Sequence, residues 1–105
     1  LLTFLEIQRP MQFILTAYDG TDAEAPARRM KVREKHLENV TKLKESGHFI
    51  WGGAILDEEQ NMKGSVVVYE YESREELDNM LKSEPYIRAG VWQKTDIQPF
   101  KLASI

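Results

Sequence analysis

HFIWGGAILDEEQNMKGSVVVYEY, residues 48–71, holds two runs of β-branched, aromatic and small apolar residues on either side of a polar turn. HFIWGGAIL (48–56) and KGSVVVYEY (63–71) read as strands and DEEQN (57–61) as their connection, which makes the middle of the chain a β-hairpin. Upstream, from about Asp22 to Ser46, small and straight-chain residues take over; Asp22 is placed to cap this helix and Gly47 to stop it. Before it, MQFILTAYD (11–19) is a further strand that runs into the turn pair Asp19 and Gly20. Downstream, Ser73 and Glu76 form a capping-box pattern that predicts a second helix over 74–83, with Leu77, Met80 and Leu81 buried and Pro85 ending it. VWQKTDIQPF (91–100) is the last strand, closed by Pro99.

The resulting order, β-α-β-β-α-β, predicts an α+β, ferredoxin-like domain: a four-stranded antiparallel sheet with both helices on one face. Alternation puts Phe13, Leu15 and Ala17 on one side of the first strand and Ile14, Thr16 and Tyr18 on the other. In the third strand it separates Val66 and Val68 from Val67, Tyr69 and Tyr71. Both sides carry apolar residues, and two helices cover only one of them. The other is expected to pack against a second copy, giving a homodimer through the open sheet faces, a dimeric α+β barrel.

The bulk numbers bound the partners. The 105 residues suit one domain, expected over 11–105, and residues 1–10 (LLTFLEIQRP) read as an N-terminal extension or expression remnant, or else an apolar arm that docks on a neighbour. That decapeptide is too short to span a bilayer and has no signal-peptide pattern. With 42% hydrophobic and 30% charged residues the composition is that of a folded domain, and a net charge of −3 offers no pull toward nucleic acid or an anionic membrane. The absence of cysteine removes disulfides and thiolate chemistry and suits a cytoplasmic location.

Within the first helix, at about 100° per residue, Arg29, Val32, His36, Val40 and Leu43 share one sector, with Arg33 at its edge. An ionisable ring therefore faces inward. One reading makes it a satisfied core residue; the other places it in a cavity between helix and sheet, where a neutral imidazole exchanges protons near pH 7. ARRMKVREK carries five basic residues between 28 and 35, which disfavour a protonated His36 unless a carboxylate compensates, and Arg29 or Arg33 is a candidate for a bound anion. Most acidic residues read as solvated. Glu84 differs: it follows the second helix, where the helix dipole disfavours a carboxylate, and opens EPYIRAGV, in which Gly90 permits an unusual turn.

These pieces resemble the YCII-related domain family of small dimeric α+β barrel proteins. Arg33, His36 and Leu37 stand as RxxHL, KGSVVV begins the third strand, and PYIRAGVW is followed by QPFK. The resemblance spans Met11 to Lys101. It implies a site made of the RxxH histidine and the acidic residue before PY, here His36 and Glu84, in a pocket between sheet and first helix. The family pattern has aspartate at the second position. Gly53 matches the family's second-strand glycine, where bulk is expected to intrude on the pocket floor. On this reading neutral His36 shuttles a proton on a small organic substrate, Glu84 orients it, and Arg33 or Tyr86 binds a polar group. Isomerisation or elimination without a cofactor is the chemistry implied; the alternative is a non-catalytic sensor or accessory module that binds a small ligand.

The same element order occurs in RNA-recognition domains, but KGSVVVYEY has Ser65, Val67 and Glu70 where stacking rings are required. No metal site is expected, because His36 and His48 fall on different elements and no HxH or HExxH spacing occurs.

Overall fold

A computed structural model describes residues 10–105. The expectations for residues 1–10 fall, Pro10 apart, outside the described residues. The elements are β1 (Met11–Asp19), α1 (Ala25–Glu45), β2 (Phe49–Leu56), β3 (Met62–Tyr71), α2 (Arg74–Leu81), α3 (Pro85–Arg88) and β4 (Trp92–Phe100). All pairings are antiparallel, in the order β2-β3-β1-β4. This is the ferredoxin-like α+β fold expected from the sequence, with one additional short helix.

Strand register decides which residues form the core. Phe13 lies opposite Tyr69, and Leu15 opposite both Val67 and Ile97. That face carries Phe13, Leu15, Ala17, Val67, Tyr69 and Tyr71, all buried, together with Leu77, Leu81 and Tyr86 from the covering helices. Burying these side chains is the main driving force for the sheet and helix layers to associate. The opposite face pairs Ile14 with Val68 and Thr16 with Val66, and leaves Tyr18 and Trp51 exposed at 44% and 55%. Its apolar half is the β1–β3–β2 side; β4 adds Lys94, Asp96 and Gln98.

Local chemistry differs from expectation in two places. Helix α1 begins at Ala25, not at Asp22: Pro26 occupies its first turn, the capping position is Glu24 without a side-chain cap, and Asp22 instead pairs with Arg28 at 2.7 Å. The Arg28 guanidinium holds the Asp22 carboxyl below its ordinary range. Helix α2 takes Ser73 as its N-cap as predicted, but the return bond of the capping box goes one residue further back. Glu76 N–H donates to Ser73 Oγ at 3.2 Å, while the Glu76 carboxylate accepts from Glu72 N–H at 3.0 Å.

The second departure sits at the start of β2. The register shifts between Phe49, opposite Tyr69, and Trp51, opposite Val68, so Ile50 is an extra residue in that strand. The bulge reverses the parity of everything after it. Phe49 points into the core, Trp51 points to the open face, and Gly52 and Ala54 come round to the helix side.

Candidate active site

Helix α1 lays Arg29, Arg33, His36 and Val40 along the covered face of the sheet, and between them and β2–β3 lies a cleft of about 180 Å³. Its opposite wall contains Phe49, Gly52, Ser65 and Val67. A wider groove of about 430 Å³, bordered by Asp19, Asp22, Asp57 and Lys63, shares Arg29 and Met62 with it. Of the two, only the smaller cleft is lined by an imidazole, that of His36.

His36 is buried, 8% exposed, and each of its contacts fixes the ring. Its Nδ1 lies 2.5 Å from Glu84 Oε1. Glu84 is completely buried; Oε1 also accepts from Tyr86 N–H at 3.1 Å and Oε2 accepts from the Asn39 side-chain amide at 3.0 Å. With amide donors on both oxygens the carboxylate acts purely as an acceptor, so the proton of the pair belongs on His36 Nδ1. Nε2 is then the nitrogen left for a ligand, and it has no hydrogen-bond partner among the described residues. Tyr86 stacks on the imidazole with centroids 3.9 Å apart and planes 11° from parallel, and Trp92 meets it edge-on at 5.8 Å.

The position of Glu84 is opposite in sense to the one expected. It does not trail α2; it is the N-cap of α3, with extended backbone, and Pro85 and Gly90 frame that short helix. A carboxylate is favoured at a helix N-terminus, where free backbone N–H groups point at it. Gly90 has φ +71°, the left-handed turn anticipated for EPYIRAGV.

Two further expectations are corrected. Tyr86 does not reach the cleft: it is fully buried, and its hydroxyl is sealed without a hydrogen-bond partner, so it supports the imidazole and offers nothing to a substrate. Burial pushes its phenol upward, opposed by the nearby Arg29 and Arg33 charges. Gly53 borders the cleft, but a Cβ there would meet nothing within 4 Å. The crowded position is Gly52, whose Cβ would lie 2.9 Å from both the Phe49 ring and the Val66 carbonyl oxygen. The Ile50 bulge is the reason.

Arg29 and Arg33 divide their labour. Arg29 Nη1 donates to both Asp19 oxygens at 3.0 Å, its Nη2 donates to Ser65 Oγ at 3.1 Å, and its guanidinium lies 4.7 Å from the Tyr86 ring centre. Its charge is thus consumed internally. Arg33 is half-buried on the cleft wall and has no hydrogen bond or ion pair among the described residues. The second histidine is structural: His48 Nδ1–H donates to the Glu70 carbonyl at 2.8 Å and its ring stacks on Tyr71. No group of three histidine, aspartate or glutamate side chains among the described residues is placed to hold a metal ion.

Asp19, Asn39, Ser65 and Trp92 were not singled out by the sequence. Asn39 had a usable signal, three positions after His36 on one helix. So did Ser65, the hydroxyl that shares parity with Val67, Tyr69 and Tyr71.

Sheet order, helix placement and a buried histidine–carboxylate pair beside a cleft together define a ferredoxin-like α+β protein with a candidate proton-transfer site. The chain belongs to the YCII-related domain family, whose model matches residues 11–101. It is 29% identical to Protein YciI of Escherichia coli O6:H1 over 97 residues, covering 87% of this chain and 97% of that protein. It is 31% identical to an uncharacterised protein of Haemophilus influenzae over 80 residues, 70% of this chain and 82% of the other. Among solved structures it is similar to the 5-chloro-2-hydroxyhydroquinone dehydrochlorinase of Burkholderia phenoliruptrix. The TM-score there is 0.75 at 23% identity, covering 89% of this chain and 96% of the other. A dimeric ferredoxin-like protein from an uncultured marine organism gives a TM-score of 0.54 at 12% identity, covering 93% and 92% of the two chains. No helix among the described residues is long and apolar enough to cross a membrane.

Proposed function

We propose that this protein catalyses a cofactor-independent proton transfer, of isomerase or elimination type, on a small organic substrate. The observation that carries the reading is the His36–Glu84 pair. Glu84 holds Nδ1–H from a buried position and Tyr86 holds the ring plane, which leaves Nε2 for a substrate C–H or O–H. As Nε2 takes the proton, the imidazolium gains the full attraction of the carboxylate on its other side, so the pair is better matched to the charged state than to the resting one. The solvent-poor surroundings strengthen that interaction. The longer glutamate fills the role that aspartate has in the family pattern because it descends from the N-terminus of α3 and is gripped at both oxygens.

The test is a panel of small enolisable ketones, lactones and hydroxyquinols, the last chosen because a similar fold belongs to a dehydrochlorinase. Proton exchange or elimination is followed by NMR in D2O. The expected result is turnover of at least one class, reduced about 100-fold or more by His36→Ala and strongly by Glu84→Gln. Ligands that bind and protect His36 but are never converted would make the protein a sensor.

We further propose that two copies pair through the open sheet faces. Exposed Trp51 and Tyr18, on the same face as the half-buried Val66 and Ile14, support this, since apolar surface of that kind is costly to leave in water. Light scattering at micromolar concentration should give the mass of two chains, and Trp51→Lys should shift it toward one. A single-chain mass for the unmodified protein would refute the pairing.

A further inference from the structure

The hydrogen-bond count at Ser65 leaves one atom unaccounted for. A serine hydroxyl has two lone pairs and one proton. Both lone pairs of Ser65 Oγ are taken, by Arg29 Nη2–H and by Trp92 Nε1–H, each at 3.1 Å. The oxygen therefore can accept nothing further; its proton is left to donate, and no acceptor for it is found among the described residues. Ser65 is 3% exposed and lines the same cleft as His36. A hydroxyl that already accepts two bonds, one from a cation, is a stronger donor than a free one. Across the cleft stands Arg33, whose charge no described residue neutralises, whereas Arg29 is matched by Asp19.

We infer that Ser65 Oγ–H and the Arg33 guanidinium form a binding site for an anionic oxygen, and that the natural ligand is a small organic anion with an apolar body. The directed hydroxyl fixes where the oxygen sits, and the guanidinium supplies the charge. Val40, Phe49 and Val67 give the remainder of the cleft an apolar lining. At about 180 Å³ it is smaller than the usual pocket for a drug-sized ligand. Gly52 keeps the floor open between these groups, since a Cβ there would strike Phe49. The inference names the substrate class for the proton-transfer reading and rests on it only in sharing the cleft: an oxygen held here would carry the charge that develops when His36 removes a neighbouring proton.

The probe is benzoate, with benzamide as an uncharged molecule of the same shape, titrated against the full chain while the His36 ring and Gly52 amide resonances are followed. Benzoate should bind saturably and at least tenfold more tightly than benzamide. Arg33→Gln, a change at a side chain with no partner among the described residues, should abolish that preference. Ser65→Ala should weaken benzoate by roughly tenfold or more, and Ser65→Thr, which keeps the hydroxyl, should restore it even if the alanine variant is less stable. Equal affinity for the two probes, no saturable benzoate binding, or a preference that survives Arg33→Gln overturns the site. His36→Gln separates the two readings: benzoate binding that persists in this variant shows that the anion site stands without the imidazole, and substrate turnover that also persists in it removes the proton-transfer assignment while leaving the anion site.

Discussion

At the scale of single residues, Asn39 fixes the geometry of the pair. Its amide is the donor that Glu84 Oε2 has at 3.0 Å, in a carboxylate with no exposed surface. Asn39→Leu strips that donor while roughly keeping the volume, and an unsatisfied buried acceptor costs about 1–3 kcal/mol. Urea unfolding should show a loss of that size. The His36 Nδ1–H resonance should broaden or move, because a carboxylate held at one oxygen pivots on its extra methylene. Asn39→Gln, which can still reach with an amide, should recover part of both. A stability and an imidazole spectrum unchanged in Asn39→Leu would show that Tyr86 N–H alone suffices.

At the scale of elements, the Ile50 bulge has the largest consequence, because one inserted residue exchanges the two faces of β2. Two neighbouring glycines are thereby made unequal. Gly52→Ala drives a methyl to 2.9 Å of a backbone carbonyl and should destabilise by about 1–3 kcal/mol, whereas Gly53→Ala meets open space and should leave a single chain's stability within about 0.5 kcal/mol. Thermal unfolding of the two variants side by side decides it; equal effects would mean that the bulge is absent.

The same bulge marks the limit of what the sequence discloses. Strands β1, β3 and β4 were legible to within a residue because MQFILTAYD, KGSVVVYEY and VWQKTDIQPF alternate or are dense in β-formers. The inward face of α1 was legible from the spacing of Val32, His36 and Val40. A bulge leaves no periodic trace, so simple alternation from Phe49 puts Gly53 on the wrong side. Helix α3 was hidden for a related reason: PYIR is one turn long, too short to display a 3.6-residue repeat, and Glu84 was consequently assigned to the helix before it. Asp19 and Ser65 escaped notice because their meeting at Arg29 depends on register between β1 and β3, which local patterns do not encode.

At the scale of the whole molecule, the buried phenols govern behaviour in alkali. Burial pushes Tyr71 to about 12. Tyr69 lies well above its ordinary value, through burial first and the Glu84 charge second, and Tyr86 is raised by burial. Each native phenol holds its proton to a higher pH than the unfolded chain does, where tyrosine titrates near 10. Between about pH 10 and pH 12 the unfolded state binds fewer protons than the folded one, so stability is intact below 10 and falls as pH rises through that window. Denaturant midpoints measured from pH 8 to pH 12 should be flat at first and then decline, and Tyr71→Phe should shallow the decline. A midpoint that rises above pH 10 would contradict the burial of these rings.

Glu84 and His36 are 48 positions apart, one capping the third helix, after the hairpin, and the other on the first helix, before it. The pair cannot exist in a nascent chain that has yet to release its last third, nor in any intermediate in which α3 has not docked on α1. Competence for the proposed proton transfer is therefore a late event in the molecule's history, and the short Nδ1–Oε1 contact is a timestamp: its appearance dates the moment at which the two ends of the fold have closed on each other.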